Sequence, residues 1–305
     1  MASAKDIRKK IRTISNTKKI TRTMEMVATV KSKRAQDRIK ATTPYSQKLS
    51  EILESLARSG SISHPFLTPP EKVERTLLLI VTGNRGLCGG YNSNVLGLAE
   101  EWLEGEKQAG RAADTYIVGK KGISRFRFLK LAAAKTYTHI DDRPSFKDAA
   151  DLAEEFMRRF LAGEVQRVVV VASKYFSASL QKPTEFQLLP IAPPRPSVEG
   201  PKGGAKEKGL ALKGGGPANV MEFIFEPNRA EILKALLPLS VKNAVYRILV
   251  EAAAAEQIAR RIAMKLATDN AEEMIKTYTR KYNRQRQAGI TQQIVEIVSG
   301  ADALG

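Results

Sequence analysis

KDIRKKIRTISNTKKITRTMEMVATVK, residues 5–31, decides the fold at the N-terminal end of this 305-residue chain. The stretch contains neither Gly nor Pro. Its apolar residues recur at helical intervals, at Ile7, Ile11, Ile14, Ile20, Met24, Val27 and Val30. This pattern predicts one long helix over residues 3–41. Pro44 is expected to kink or restart the helix. The repeat then continues before Gly60, at Tyr45, Leu49, Ile52 and Leu56.

The C-terminal segment has the same helical character. One heptad seam is predicted at Ile248, Ala252, Ala255, Ala259, Ile262 and Leu266, and a second at Ala271, Ile275, Tyr278 and Tyr282. Asp269 and Asn270 lie where the register is expected to change. The 60 residues 240–299 would extend roughly 90 Å as a helix, at about 1.5 Å per residue. A compact chain of this size is only roughly 50 Å across. We therefore expect this helix to project and to pair antiparallel with the N-terminal helix.

The middle of the chain predicts an α/β fold. Strand-like runs at 76–82, 115–118, 136–140 and 167–172 alternate with helical stretches at 92–109, 123–131 and 145–162. This alternation is typical of an open, largely parallel sheet. Residues 185–191 and 220–225 are expected to add edge strands. The segment 193–217 is rich in Pro, Gly and Lys and is predicted to be a solvated, mobile loop.

The charge of the chain points to an acidic or polyanionic partner. The net charge is +18, and residues 1–59 alone contain fifteen Lys and Arg against five Asp and Glu. Cys88 is the single cysteine, which excludes an internal disulfide framework and a thiolate zinc site. The chain has only two histidines, so a histidine-based metal site is not expected. No apolar run approaches the roughly 20 residues of a membrane span, and we expect no secretory signal.

The glycine-rich segment TGNRGLCGG, residues 82–90, follows a predicted strand, where phosphate-binding loops occur. Its spacing matches neither nucleotide-binding fingerprint. A structural turn in which Arg85 makes polar contacts is favoured over a nucleotide site, which remains the rival interpretation. No catalytic motif is present, so no catalytic residue and no cofactor are predicted.

The last residues, 287–305, form an apolar end with only Glu296 and Asp302 as charges. Their apolar side chains cover more than one stripe of a helix. Such a surface is expected to lie in an apolar socket on another protein. Packing against the chain's own α/β part is the alternative.

Four segments resemble one known family: residues 5–31 above, GNRGLCGGYN at 83–92, MKLATDNA at 264–271, and YNRQRQAGITQQIVEIVSGADAL at 282–304. They are similar, in the same order, to the gamma subunit of the F-type ATP synthase. The resemblance implies a rotor whose terminal helices form a coiled-coil shaft, flanked by a Rossmann-like α/β domain. It also implies partners: the alpha and beta subunits of the F1 hexamer, the epsilon subunit, and the c ring of Fo.

The resemblance also implies partner-contact residues near the end of the shaft. Arg286 and Gln287 match residues that hydrogen-bond loops of beta, and Thr291 matches a nearby polar contact. Gln293 stands where the family usually has Glu, so a charged contact there is expected to be weakened or replaced by a neutral hydrogen bond.

Three further contacts follow from the same resemblance. Met24 lies in the segment that meets an acidic loop of beta, and the cations around Met24 suit that loop. Phe223 and Glu226 resemble the foot region that contacts the c ring.

The predicted organisation is a shaft helix over 1–59, an α/β domain over 60–227, and a second shaft helix over 228–305. We expect a non-catalytic peripheral membrane protein on the cytoplasmic face of a bacterial inner membrane. Two alternatives remain at this point. One is a basic coiled-coil protein that binds duplex nucleic acid, and the other is a small nucleotide-dependent α/β enzyme.

Overall fold

The chain begins and ends with a long helix, and the sequence between the two helices forms an α/β region. The structure, a computed structural model, describes residues 4–58, 64–177, 180–191 and 228–302. Its elements are α1 (Ala4–Arg58), β1 (Arg75–Val81), α2 (Tyr91–Gln108), β2 (Ala112–Val118), α3 (Lys120–Phe128), β3 (Lys135–Tyr137), α4 (Phe146–Leu161), β4 (Arg167–Tyr175), β5 (Gln181–Leu189) and α5 (Arg229–Asp302). This arrangement confirms the predicted fold class. The predicted strand at 220–225 and the predicted loop at 193–217 lie outside the described residues.

The five strands form one mixed sheet in the order β3-β2-β1-β4-β5. The first four are parallel, and β5 is antiparallel to β4. Parallel neighbours need crossover connections, which α2, α3 and α4 supply. The expected edge strand at 185–191 is present as part of β5, which begins earlier, at Gln181.

Both faces of the sheet are buried, which explains why β1 and β4 are continuous apolar runs. On one face Leu78, Ile80 and Val169 pack with Phe126 of α3 and residues of α2. On the other face the sheet packs with α4, with Leu56 of α1 and with residues 233–252 of α5.

The start of α4 is fixed by a capping box formed by Ser145 and Asp148. The backbone N–H of Asp148 donates to Ser145 Oγ at 3.1 Å, and the Ser145 N–H donates to Asp148 Oδ2 at 2.9 Å. These bonds satisfy two of the backbone donors that a helix start leaves unpaired.

The predicted restart of α1 at Pro44 is wrong, because the helix continues through it. The Pro44 ring lies exposed, while Ser46 and Leu49 just beyond it are buried. The Thr43 hydroxyl donates to the Ile39 carbonyl at 2.7 Å, one turn earlier. Packing of the flanking turns therefore outweighs the cost of about 3 kcal/mol that a proline imposes inside a helix.

The chain divides into two compact units. The terminal unit contains Met1–Arg34, Arg85–Gly90 and Glu256–Gly305, and the sheet unit contains Ala35–Asn84 and Tyr91–Ala255. Helices α1 and α5 each contribute residues to both units. Within the described residues, no helix is long and apolar enough to cross a membrane.

Candidate partner-contact surface of the terminal unit

Helices α1 and α5 pair antiparallel in the terminal unit. Lys10 Nζ lies 6.0 Å from the centre of the Tyr278 ring, Lys18 Nζ lies 3.0 Å from Glu272 Oε2, and the hydroxyls of Thr21 and Thr268 are 2.9 Å apart. Each step forward along α1 is matched by a step backward along α5. The expected antiparallel helix pair is thus present.

A strict four-three repeat forms the seam of α1. The members that it buries in this unit are Ile7, Thr21, Ala28 and Ser32, with Ile11 and Ile14 half-buried. Ile20, Val27 and Val30, which are part of the apolar pattern that predicted this helix, are exposed and lie outside the seam. Ile20 is 61% exposed, since it precedes the seam residue Thr21 by one position. Small and polar residues therefore occupy seam positions that hydrophobicity alone assigns to their neighbours.

The α5 seam runs through Met264, Thr268, Ala271, Ile275, Tyr278 and Tyr282, which are buried or half-buried. The predicted continuation of the first seam through Ile262 and Leu266 is wrong, and Leu266 is 57% exposed. No register change occurs at Asp269 and Asn270, because the repeat on either side of them is continuous. The second predicted seam is confirmed and begins earlier, at Met264.

The glycine-rich turn packs on α5. The Arg260 guanidinium donates to the Gly86 carbonyl at 3.5 Å and pairs with Glu256 of its own helix at 2.5 Å. Gly89 has φ +56°, and a Cβ there would lie 3.8 Å from the Cβ of Ala263. Cys88 is buried in this turn. A carbonyl turned toward a cation is the reverse of a phosphate loop, which presents N–H groups to an anion. This geometry favours the structural interpretation of the turn.

Met24 lies half-buried on α1, beside an exposed apolar stripe. Ile20, Met26, Val27 and Val30 are each more than half exposed. Lys19 and Arg22 are exposed on the same turns of the helix. The stripe thus combines apolar side chains with positive charge, a composition that suits a partner with apolar and acidic groups.

The last turns of α5 are exposed on every side. Every residue from Arg286 to Gly300 is exposed, and Ile297 reaches 72%. Gln287 and Thr291 share one face of the helix, and the Thr291 hydroxyl donates to the Gln287 carbonyl at 3.0 Å. Arg286 and Gln293 lie two turns apart on the adjacent face, with Ile290 between them.

The predicted contact residues form two groups. Thr268 is opposite the part of α1 that contains Met24, and Arg286 lies 18 residues further along α5, roughly 27 Å at about 1.5 Å per residue. Four of the predicted contact residues therefore lie together at the end of α5, namely Arg286, Gln287, Thr291 and Gln293. Met24 lies apart from them. Phe223 and Glu226 lie outside the described residues.

Hydrogen bonds and ion pairs join polar side chains within the terminal unit. The hydrogen bond and the charge of Lys18 lower the pKa of Glu272, so this carboxylate is ionised at neutral pH. Among the described residues, no three His, Cys, Asp or Glu side chains are grouped so as to hold a metal ion. Sequence reasoning missed the Arg260–Glu256 pair and the Thr21–Thr268 contact. The signal for the ion pair was the spacing of four between Glu256 and Arg260, and the signal for the threonine contact was a polar residue at a heptad position.

Paired terminal helices, an exposed apolar end and a mixed sheet define a coiled-coil subunit that works through contacts with other proteins. The sequence pattern of the family described as ATP synthase matches residues 3–304. Two relatives named ATP synthase gamma chain are each 43% identical over 305 residues. The alignment with the relative from Leptospira biflexa serovar Patoc covers 100% of both chains. The alignment with the relative from Gemmatimonas aurantiaca covers 100% of this chain and 99% of the relative. This chain belongs to the ATP synthase gamma chain family.

Solved structures share the fold. A chain of the Euglena gracilis mitochondrial ATP synthase, in a structure described as OSCP/F1/c-ring in rotational state 3, is 19% identical with a TM-score of 0.64. That alignment covers 99% of this chain and 94% of the other. A chain of the Tetrahymena thermophila mitochondrial ATP synthase, in a structure described as central stalk/c-ring, is 21% identical with a TM-score of 0.54. It covers 81% of this chain and 99% of the other.

Proposed function

We propose that this chain is the central-stalk rotor subunit of an F-type ATP synthase. By rotating, it couples ion flow through the membrane c ring to ATP synthesis or hydrolysis at sites of the alpha and beta subunits. Beside family membership, one observation carries the proposal: from Arg286 to Gly300, α5 is exposed on every side and rich in apolar residues. Apolar surface of this kind is stable in water only when another protein covers it. The alpha and beta ring is the proposed cover.

The helix pair suits the transmission of torque. A shaft has to turn as one body, and the buried Thr21–Thr268 contact holds α1 and α5 in one register. Contacts with the surrounding ring have to form and break during each turn. Partly exposed ion pairs, worth about 0–1 kcal/mol each, permit this exchange, whereas fully buried pairs would resist it.

The proposed division of labour follows the three parts of the sequence. Residues 1–59 and 228–305 serve as the shaft, and 60–227 as the flanking domain. Met24 meets an acidic loop of beta, and Arg286, Gln287, Thr291 and Gln293 meet beta near the end of the shaft. Phe223 and Glu226 contact the c ring, close to the epsilon subunit. The chain itself is non-catalytic.

The proposed location is the cytoplasmic face of a bacterial inner membrane, where the chain is held as a peripheral protein by its partners. Copurification from native membranes tests these partners. Alpha, beta and epsilon subunits and the c ring are expected to purify with the chain. Their absence from the purified material would contradict the assignment.

Truncation after Gln287 tests the role of the exposed end. The truncated subunit is expected to assemble with alpha and beta but to lose most ATP synthesis driven by an ion gradient. ATP hydrolysis and ion pumping are measured on the same preparation. Fully intact coupling without these residues would show that the end has no such role.

A matched pair of substitutions separates apolar contact from helix integrity. Ile290, Ile294 and Ile297 are replaced by Ser in one variant, and Gln292 by Ser in the control. The control removes only the Gln292–Glu296 hydrogen bond of 2.9 Å on the same turns. We expect coupling to fall in the triple variant and to remain near its original value in the control.

Family membership leaves the duplex nucleic acid alternative without support. The charge of α1 is accounted for by acidic groups of partner subunits. Gel retardation with duplex DNA at physiological ionic strength gives the direct check, and no retardation is expected.

A further inference from the structure

Both histidines of the chain lie in the sheet unit. His139 is mainly exposed, and its Nε2 lies 3.9 Å from Asp148 Oδ1. His64 is half-buried and begins a short turn, residues 64–68, which is named the strap. Histidine is the side chain whose ordinary pKa places its change of charge near neutral pH. A response of a histidine to mild acid therefore acts on the sheet unit.

The ring of His64 closes the strap by accepting a hydrogen bond. The Phe66 N–H donates to His64 Nδ1 at 3.1 Å. A ring nitrogen accepts only when it carries no proton, so this bond requires a neutral ring with its proton on Nε2. The N–H groups of Leu67 and Thr68 donate to the His64 carbonyl at 2.9 and 3.1 Å. The strap thus has one bond that depends on the charge of the ring and two that do not.

The strap fastens several parts of the sheet unit through Phe66. This residue is 2% exposed and belongs to the core that includes Leu56 of α1 and Leu233 of α5. Its ring centre lies 6.0 Å from that of Phe160 in α4. Its carbonyl accepts a hydrogen bond from the Ile191 N–H, just past β5, at 2.7 Å. Releasing Phe66 would therefore loosen the core and the chain after β5 together.

The surroundings of the His64 ring oppose its protonation. Partial burial, and after it the charge of Lys234 on α5, lower the pKa of His64 below its ordinary value of 6.5. The core residues that α1 and α4 contribute beside the strap, Leu56 and Phe160, are uncharged. Because the folded-state pKa lies below the unfolded value, the stabilisation is complete above pH 6.5 and decreases as the pH falls below it.

We propose that His64 is a proton-operated clasp that releases the strap from the sheet unit in acid. A proton on Nδ1 turns this acceptor into a donor, so the Phe66 N–H loses its partner. A buried N–H without a partner is unfavourable, and Lys234 repels the charged ring. The bonds to the His64 carbonyl persist, so the turn remains while Phe66 and its bond to Ile191 loosen. The inference goes beyond the proposed function and does not depend on it.

Hydrogen exchange of single amides in the full-length chain tests the clasp. Protection, the intrinsic exchange rate divided by the measured rate at the same pH, is compared at about pH 7.5 and about pH 5. Protection of the Phe66 and Ile191 amides is expected to fall at least about threefold in acid. The amide of Val170, in the buried centre of β4, is the internal control and should change far less. Equal protection of Phe66 and Ile191 at both pH values would overturn the proposal.

Substitutions then separate the hydrogen bond from the charge. In His64→Asn the side-chain oxygen accepts from the N–H two residues on and does not titrate, so protection at Phe66 is expected to stay high at both pH values. His64→Lys has a charge and no acceptor, and protection is expected to be low at both. Lys234→Met removes the repelling cation, so the loss of protection in acid is expected to shrink.

His139→Asn is the matched control, since it removes the other histidine of the same unit, and it is expected to keep the full acid response. An acid response that survives in His64→Asn, or that disappears in His139→Asn, would overturn the proposal. If His64→Lys does not fold, His64→Asn and Lys234→Met still decide the question, because one retains the hydrogen bond and the other changes only an exposed side chain.

Discussion

The hydroxyls of Thr21 and Thr268 lie 2.9 Å apart inside the pair formed by α1 and α5, and both side chains are buried. The Thr21 hydroxyl also lies 3.1 Å from the carbonyl oxygen of Lys18, and the Thr268 hydroxyl lies 2.8 Å from the carbonyl oxygen of Met264. A polar contact of this kind at a seam position favours one register, because a shifted pair would leave the hydroxyls facing apolar groups.

Replacing one member of the Thr21–Thr268 pair is expected to destabilise the helix pair. Thr21→Val conserves shape but removes a partner of the Thr268 hydroxyl, at a cost of about 1 kcal/mol. The double Val variant is expected to cost less than the sum of the two single variants. Urea unfolding followed by circular dichroism measures these differences. Thr279→Val is the control, since the exposed Thr279 hydroxyl donates to the Ile275 carbonyl of its own helix, and it should change stability by less than about 0.5 kcal/mol. If the double variant costs as much as the two single variants together, the two hydroxyls are not energetically coupled.

Gly119 is expected to tolerate no side chain. Its φ is +97°, and a Cβ there would lie 2.2 Å from the carbonyl oxygen of Thr82. Gly119→Ala is therefore expected to cost more than about 3 kcal/mol, seen as a loss of soluble protein or a large fall in the unfolding midpoint. Gly110 is the matched control, because its φ of +69° is also positive but a Cβ would meet open space. Gly110→Ala should cost about 1 kcal/mol. Equal effects at the two positions would refute the steric explanation.

Glu106 is buried between two guanidinium groups of the sheet unit. Arg111 donates to both of its carboxylate oxygens, at 2.9 and 2.8 Å, and Arg167 Nη2 lies 2.6 Å from Glu106 Oε1. The hydrogen bonds from Arg111, with further contributions from Arg167, lower the pKa of Glu106 to about 2. Because the folded-state pKa lies below the unfolded value of about 4.5, the stabilisation is present above pH 4.5 and is lost as the pH falls toward 2.

Glu106→Gln is expected to cost about 3 kcal/mol at pH 7, because two cations lose their buried counter-charge. The difference from the original chain should shrink as the pH falls from 4.5 to 2. Urea unfolding across this range measures it. Glu74→Gln is the control, since Glu74 and its partner Lys72 are both mainly exposed, and it should change the free energy of unfolding far less than Glu106→Gln does. A Glu106→Gln cost that is constant with pH would contradict the pKa assignment.

Gln293→Glu is expected to keep coupled activity within about twofold. Gln293 is exposed on α5, so a carboxylate there remains hydrated and strains nothing within the chain. ATP synthesis by the reconstituted complex is the measurement, with Gln293→Lys as a variant of opposite charge. Severe loss with Glu would mean that the partner surface requires a neutral side chain at this position.

The helices and the central strands were predictable from local pattern. Gly-free stretches with helical spacing predicted most of α1, and the apolar runs TLLLIV and RVVVVA predicted β1 and β4, because strands buried on both faces lack alternation. The capping box at Ser145 and Asp148 was predictable for the same reason, since it involves residues only three positions apart.

The seam residues were only partly predictable. Hydrophobicity favoured Ile20 and Leu266, whereas the structure buries Thr21 and Thr268. A helix selects its inner stripe by the fit of the whole repeat with its partner, so one apolar residue next to the stripe remains outside. The contact between Arg260 and the Gly86 carbonyl joins residues 174 positions apart, and no local pattern indicates it.

The sequence by itself determined the two terminal helices, the α/β region between them, the surplus of positive charge and the membership in the gamma chain family. These depend on periodicity, composition and motif order, all of which are properties of neighbouring residues. Only the tertiary structure decided the register of α1 against α5, the position of the glycine-rich turn on α5, and the exposure of Phe128 at the end of α3. These features depend on which surfaces, far apart in the sequence, pack together. That arrangement is determined by the close packing of many side chains collectively.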